Sequence, residues 1–144
     1  MFTNILVPID GSENSYKALQ YGAEIAKRFE AKLTAYHVVP LTSRTISITS
    51  SASVTLLESL IQELKNEGEG YLAKAKTILK PYSIEYDTAI CFGAPAQEIA
   101  EKAADKYDLI VIGSRGMGEV KGLFLGSVSD RVTHISKQPV LVVH

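Results

Sequence analysis

The sequence predicts an α/β fold built on one doubly wound parallel sheet, and two observations support this prediction. Short runs of Val, Ile and Leu alternate along the chain with longer amphipathic segments. The apolar runs are not interrupted by polar residues, which is typical of parallel strands whose two faces are both covered by helices. With right-handed crossovers, we expect a five-stranded sheet in the order 3-2-1-4-5.

Strands and helices are predicted in strict alternation. The strands are expected at residues 5–9, 32–39, 84–91, 109–112 and 140–143, the helices at 14–29, 54–80, 94–106 and 126–137, and loops at 40–53 and 114–125. Pro81 ends the second helix, and Pro95 suits the first turn of the third, where its missing N–H costs little. Gly68 and Gly70 each cost about 1 kcal/mol relative to Ala inside a helix, which argues against a straight and continuous second helix.

Length, charge and cysteine content restrict the class of protein. A chain of 144 residues fits a single domain over residues 1–144, and 15 basic against 16 acidic side chains leave no basic excess for nucleic acid. No apolar run reaches the ~20 residues that span a bilayer. Cys91 is the only cysteine and the N-terminus lacks signal-peptide features, so we expect a cytoplasmic protein without disulfides.

Two loops of unusual composition follow the first and fourth predicted strands. They are Pro8–Ser15 and Gly113–Ser127. In an open parallel sheet, ligands bind beyond the carboxyl ends of the strands, at the point where the strand order reverses. In the expected order the first and fourth strands flank that point, so both loops are predicted to open onto one crevice.

The second loop has the chemistry of a polyphosphate site. Its glycines can approach an anion closely and take positive φ, and the helix that follows offers unpaired amides to a phosphate. The relevant glycines, hydroxyls and cations are Gly113, Gly116, Gly126, Ser127, Ser129, Arg115 and Lys121. On spacing alone, a flexible surface loop whose glycines are only turn residues is an equal alternative.

The spacing Gly113-x2-Gly116-x9-Gly126-Ser127 resembles the glycine signature of the ATP-binding branch of the universal stress protein family. Residues 4–12 also resemble that family's first strand and Pro-x-Asp-x-Ser loop. Residues 93–95 are similar to its third-helix entry, and residues 138–143 to its last strand. The resemblance covers the whole chain and implies the adenine nucleotide alpha hydrolase-like fold, which is Rossmann-like.

The resemblance also implies a bound ligand and its contacts. ATP would occupy the crevice, with the Asp10 carboxylate near the ribose or adenine, Val38 backbone groups at the adenine edge, and Pro8 shaping the first loop. A cation, Mg²⁺ or Mn²⁺, would be held mainly by phosphate oxygens. The expected site residues are Pro8, Asp10, Val38, Gly113, Arg115, Gly116, Gly126, Ser127, Val128 and Ser129.

Other kinds of site receive less support. The Walker motif, the Rossmann G-x-G-x-x-G motif and the Ser-Gly-Gly-x-Asp-Ser loop of adenylating pyrophosphatases are all absent from the sequence. His37, His134 and His144 lack metal-ligand spacing, and no protein metal site is expected. Cys91 is expected to pack inertly. Asp10 has a second interpretation, as the cap of the first helix.

The leading hypothesis is a regulatory, ATP-binding module of the stress response. A slow ATP hydrolase is the alternative, although neither Glu119 nor Asp130 is a compelling group to orient an attacking water. A dimeric interaction protein with a vestigial nucleotide site is a third possibility. A homodimer is expected through residues 139–143, because an apolar edge strand without charges or bulges invites pairing.

Overall fold

The computed structural model describes residues 1–41, 54–117 and 125–144. The strands are β1 Asn4–Pro8, β2 Lys32–Pro40, β3 Tyr86–Gly93, β4 Leu109–Gly113 and β5 Val140–Val143; the helices are α1 Glu13–Phe29, α2 Val54–Leu79, α3 Pro95–Lys106 and α4 Ser127–Ile135, and a 3₁₀ turn covers Lys80–Tyr82. The expectations for Glu119, Lys121 and most of the 40–53 loop lie outside the described residues.

All five strands are parallel and lie in the order β3-β2-β1-β4-β5. The predicted fold class and strand order are therefore confirmed. Strand β1 is at the centre, with β2 on one side and β4 on the other, so the loops after β1 and β4 leave the sheet at the point where the strand order reverses.

Two apolar clusters cover the faces of the sheet. Helices α1 and α2 pack on one face, where Leu19 and Leu72 are buried against β1 and β2. Helices α3 and α4 pack on the other face through Ile99 and Val132. This double coverage explains why the central strands read as unbroken apolar runs. Among the described residues, no helix combines the length and the apolar character needed to cross a membrane.

Several predicted boundaries were wrong by a few residues. Strand β3 begins at Tyr86 rather than at residue 84, because the 3₁₀ turn ends in Ser83 with φ +55° and delays pairing with β2. Helix α4 ends at Ile135 instead of continuing to residue 137. Helix α2 runs without interruption through both of its glycines, contrary to the doubt that they raised.

At the amino end of the sheet, one carboxylate joins two strands. Asp108, just before β4, accepts hydrogen bonds from the Thr3 amide at 2.8 Å, the Thr3 hydroxyl at 2.8 Å and the Asn4 amide at 3.3 Å. Burial alone would raise the pKa of Asp108, but these bonds together hold it below its usual value. The contact fixes the start of β1 beside the start of β4.

Candidate functional site

A cavity of about 310 Å³ opens at the carboxyl ends of β1, β2 and β4. This volume lies at the small end of the usual range for ligand pockets. The described residues that line it come from both loops, from strands β1, β2 and β4 and from all four helices: Pro8, Ile9, Asp10, Ser15, Tyr36, His37, Val38, Pro40, Leu64, Glu67, Tyr71, Pro95, Ile99, Ile112, Gly113, Arg115, Gly116, Met117, Gly126, Val128 and Ser129.

The cavity has two chemically distinct ends. One end is apolar and is formed by side chains from the ends of β2 and β4 and from α3, including the buried residues Tyr36, Val38, Ile99 and Ile112. The other end is formed by the glycine loop after β4, where the one cation among the described lining residues is Arg115. An amphiphilic ligand with a planar apolar part and an anionic part fits this division.

Asp10 connects the two loops. Its Oδ1 accepts hydrogen bonds from the Ser12 amide at 2.9 Å and the Ser12 hydroxyl at 2.5 Å. Its Oδ2 accepts a hydrogen bond from the Met117 amide at 3.2 Å, across the crevice. A Cβ added to Gly116 would collide with the same Oδ2. The carboxylate therefore holds the glycine loop against the first loop.

Asp10 does not cap α1, so that interpretation was wrong. The N-cap is Ser12, which has extended backbone angles and accepts the Ser15 amide hydrogen bond through its hydroxyl. Asp10 instead accepts a hydrogen bond from the Ser12 hydroxyl and so orients the oxygen that caps the helix. Position 12 is the better cap because it directly precedes the first helical residue, Glu13, and its oxygen can reach the amide of the third.

Close approach, not positive φ, explains two of the predicted glycines. Among the described glycines, positive φ occurs at Gly11 and Gly93, so the expected left-handed backbone at Gly113, Gly116 and Gly126 was wrong. A Cβ on Gly113 would lie 2.8 Å from the backbone carbonyl atoms of Asn14. Glycine at position 113 therefore lets β4 approach α1.

The returning end of the glycine loop is fixed to the end of β4. The Ser114 carbonyl accepts hydrogen bonds from the Gly126 amide at 2.6 Å and from the Ser129 hydroxyl at 2.7 Å. Gly126 is the N-cap residue of α4 and makes no side-chain cap. Because Gly126 also lines the cavity, the helix begins at the cavity wall. The Ser129 hydroxyl proton is thus directed to the protein backbone in this structure.

His37 supports the first loop from β2. Its Nδ1 lies 2.6 Å from the Ile9 carbonyl oxygen, so Nδ1 carries the proton and donates. The Ile9 amide in turn donates to the Tyr36 carbonyl at 2.8 Å. These two bonds fix the backbone immediately before Asp10. The sequence interpretation of His37 as a satisfied histidine is consistent with this contact, but its place in the cavity wall was not foreseen.

Helix α2 forms a further wall of the cavity. Its Gly68 packs against His37, since a Cβ there would overlap the imidazole ring. The Tyr71 ring meets the His37 ring edge-on at 5.4 Å and also covers Gly11, where φ is +87°. Glycine at position 68 is thus required by helix packing, which explains why α2 contains it.

The thiol near the apolar end is not set up as a nucleophile. Cys91 Sγ lies 2.8 Å from the Tyr36 hydroxyl and 3.8 Å from a Glu98 carboxylate oxygen. Burial raises the pKa of Cys91, despite the opposing effect of the Tyr36 hydrogen bond. Burial also raises the pKa of Tyr36. Both groups are therefore neutral near pH 7.

All the predicted site residues except Ser127 line the cavity, and Ser127 lies beside it at the first position of α4. The residues that sequence reasoning missed belong mainly to α2 and to β2: Leu64, Glu67, Tyr71, Tyr36 and His37. Gly68 was the available signal, because a glycine inside a long helix indicates close packing.

The described residues contain no group of three or more His, Cys, Asp or Glu side chains able to hold a metal ion. Asp130, one of the two acidic residues considered for hydrolysis, lies in the first turn of α4 and is not among the lining residues. Its carboxylate is 3.7 Å from His134 on the same helix. The lining carboxylates are Asp10 and Glu67.

Comparison with known proteins agrees with this architecture. The profile of the universal stress protein family matches residues 1–144. Universal stress protein YxiE of Bacillus subtilis is 36% identical over 151 aligned positions, which cover 99% of each chain. The structure of UspA from Lactobacillus plantarum superposes with a TM-score of 0.84 at 26% identity, covering 99% of this chain and 97% of that one.

A further solved structure, a universal stress protein in complex with cAMP, superposes with a TM-score of 0.74 at 27% identity and covers 99% of this chain and 97% of its own. The two superpositions agree with the observed architecture. The fold is therefore the adenine nucleotide alpha hydrolase-like fold, and the chain belongs to the universal stress protein family.

Proposed function

We propose that this chain binds ATP in the cavity between its first loop and its glycine loop, and that it acts as a regulatory nucleotide-binding module in the stress response. The observation that carries the proposal is the division of the cavity. An apolar end suited to a purine adjoins a glycine-lined end that carries Arg115 and faces the start of α4.

The energetics of each end favour the corresponding part of the nucleotide. A purine buried between Val38, Ile99 and Ile112 would remove apolar surface from water, which contributes about 25 cal/mol per Å² to the free energy of binding. Phosphates at the other end would meet the N-terminus of α4, whose unpaired amides and positive dipole attract anions. The cAMP complex of a relative supports an adenine nucleotide as the ligand class.

A divalent cation would enter with the triphosphate. Asp10 already accepts hydrogen bonds from Ser12 and Met117, so it offers few free lone pairs. We therefore propose that Mg²⁺ or Mn²⁺ is held mainly by phosphate oxygens and water, while backbone amides of the chain donate hydrogen bonds to the phosphates. The cation would neutralise phosphate charge in addition to Arg115.

The test is to identify and titrate the nucleotide. Mass spectrometry of small molecules released from freshly purified protein should detect ATP, and calorimetric titration with ATP, AMP and cAMP should rank ATP highest. Purified protein should hydrolyse ATP well below about once per second, under the common enzyme median of about 10 s⁻¹. Absence of any adenine nucleotide binding would contradict the proposal, and fast, purity-controlled turnover would favour a hydrolase.

We propose that the module works as a cytoplasmic homodimer through β5. This strand pairs only with β4 among the described elements and forms an edge of the sheet. Leu141 is 37% exposed on it, while Val142 packs into the cluster beneath α3 and α4. Antiparallel pairing of two copies of the strand would satisfy both edges under two-fold symmetry.

Leu141→Lys tests the dimer more cleanly than Val142→Lys, because its side chain is already exposed and its replacement leaves the core intact. Light scattering should show a dimer for the native protein and a folded monomer for Leu141→Lys. Lys137→Ala, in the exposed turn before β5, is the matched control and should remain dimeric. A native monomer, or a Leu141→Lys protein that stays fully dimeric, would refute the interface.

A further inference from the structure

We propose that Glu67 on α2 binds the ribose hydroxyls of the nucleotide and so makes the cavity selective for ribonucleotides over deoxyribonucleotides. This inference rests on the proposed nucleotide site and concerns a helix that the glycine signature does not include. Three observations carry it: the hydrogen-bonding state of the two lining carboxylates, the position of Glu67 on the rim, and the rigid packing of α2.

The two carboxylates in the cavity wall differ in what they already bind. Both oxygens of Asp10 accept hydrogen bonds from Ser12 and Met117. Glu67 has no hydrogen-bond or ion-pair partner within residues 1–41, 54–117 and 125–144. An ionised carboxylate only accepts hydrogen bonds, so Glu67 is available to accept one from a ligand donor. An adenine nucleotide supplies donors only at its exocyclic amine and its ribose hydroxyls.

The rim position selects the ribose rather than the amine. Glu67 is exposed and also borders a shallow depression on the outer face of α2, which it shares with Glu63 and Asn66. The apolar side chains that suit the base lie deeper, and Val38 and Ile99 there are buried. The anionic end lies at the glycine loop. The sugar joins base and phosphates and therefore passes along the rim.

Helix α2 is held firmly enough to present this carboxylate at a defined place. A Cβ on Gly68, the next residue, would overlap the His37 imidazole, and the Tyr71 ring packs edge-on against the same imidazole. The Tyr16 hydroxyl on α1 donates to the Tyr71 carbonyl at 3.3 Å. These contacts flank Glu67 on its C-terminal side, so its backbone is fixed relative to Asp10 and the first loop.

A charge-based consideration points the same way. Phosphates next to Glu67 would be repelled, whereas a neutral diol is not. Glu67 and Arg115 both line the cavity, and a nucleotide gains most when its sugar meets the carboxylate and its phosphates meet the guanidinium. The same pairing of an acidic side chain with ribose hydroxyls is a general solution in dinucleotide-binding folds.

The experiment compares ATP with 2′-deoxyATP and 3′-deoxyATP by calorimetric titration of the wild-type protein, Glu67→Ala and Glu69→Ala. Glu69 is exposed on the same helix but does not line the cavity, so its variant is the matched control. We expect the wild type and Glu69→Ala to bind ATP about three- to tenfold more tightly than at least one deoxy analogue, as one charge-assisted, partly exposed hydrogen bond allows. Glu67→Ala should reduce this ratio to below about twofold by weakening ATP alone.

Glu67→Gln retains one acceptor oxygen and should restore part of the ratio, which a merely structural role would not predict. A ratio that survives in Glu67→Ala, or that is absent from the wild type while ATP still binds, would overturn the inference and leave the proposed function intact. Discrimination against inosine triphosphate that disappears with Glu67 would assign the carboxylate to the base amine and would also overturn it. A wild-type protein that binds none of these nucleotides would refute the proposed function itself.

Discussion

The two ends of the sheet each contain an aspartate that accepts backbone hydrogen bonds, and Asp10, but not Asp108, lines the cavity described above. Asp108 at the amino end binds the Thr3 and Asn4 amides and joins β1 to β4. Asp10 at the carboxyl end binds the Ser12 and Met117 amides and joins the loops that follow the same two strands. The hydrogen-bonding chemistry is nearly the same at both ends.

The difference lies in what surrounds each carboxylate. At the amino end the strands begin side by side, and Asp108 joins backbone to backbone. At the carboxyl end the loops diverge toward opposite faces of the sheet, because the strand order reverses there, and a space opens between them. Topology therefore gives one aspartate a structural role and allows the other to have a binding role.

Asp10→Ala should have the largest effect, which is a loss of ATP affinity. It removes the proposed nucleoside contact and also releases the Met117 amide, so we expect ATP affinity to fall by about 30- to 100-fold, equivalent to about 2–3 kcal/mol. Adenosine should weaken as well, and calorimetry with both ligands measures this. A loss confined to ATP would show that Asp10 acts only through the glycine loop.

Gly68→Ala tests whether α2 belongs to the binding end. The new methyl would overlap the buried His37 imidazole and lie 3.0 Å from Ile90 Cδ1. The imidazole cannot move freely because it donates to Ile9. We expect the free energy of unfolding to fall by about 2 kcal/mol, in the usual range for overpacking, and ATP affinity to fall with it. Urea denaturation and titration of the folded variant check both, and unchanged stability would contradict the packing argument.

The fold was predictable from the sequence because its signals are local. Unbroken apolar runs, the Pro95 helix start and the alternation of elements each depend on a few neighbouring residues. The glycines of the loop after β4 were also found, but the reason given for them was wrong: Gly113 and Gly116 meet Asn14 and Asp10, which are about a hundred positions away in sequence. Such contacts have no local signal.

The missed wall of the cavity has the same explanation. Glu67 and Tyr71 have the sequence character of ordinary surface positions on an amphipathic helix. They reach the cavity only because Gly68 allows α2 to approach β2 at His37. A single sequence shows that a glycine is present in a helix, but not which distant side chain fills the space that it leaves.

Asp108→Ala should lower stability without changing ATP affinity, whereas the main effect of Asp10→Ala should be on ATP affinity. It removes three hydrogen bonds at the amino end, two of them to backbone amides. Since the carboxylate is partly exposed, we expect a loss of about 1 kcal/mol in the free energy of unfolding and no change in ATP affinity. Chemical denaturation with parallel titration measures both quantities, and a change in affinity would break the distinction between the two ends.

Acid should abolish the contribution of Asp108 to the free energy of unfolding. The folded-state pKa of Asp108 is lowered, so its stabilising effect is fully present above the unfolded-state value of about 3.9 and is lost as the pH falls through the folded value. The difference in unfolding free energy between wild type and Asp108→Ala should therefore be constant from about pH 5 to pH 7 and should shrink below pH 4. A difference that persists unchanged at low pH would show that the carboxylate charge is not responsible.

Gly70→Ala should have the smallest effect, and in the opposite direction. Gly70 lies two positions from Gly68 on the same helix, but a Cβ there meets no atom within 4 Å. Alanine restricts the unfolded chain and has the better helix propensity, so we expect the free energy of unfolding to rise by about 0.5–1 kcal/mol with ATP affinity unchanged. Denaturation of Gly68→Ala and Gly70→Ala side by side cancels the shared propensity term and isolates the His37 contact. Equal shifts of the same sign in the two variants would mean that α2 does not press against β2 at Gly68, and the wall of the cavity would have to be assigned elsewhere.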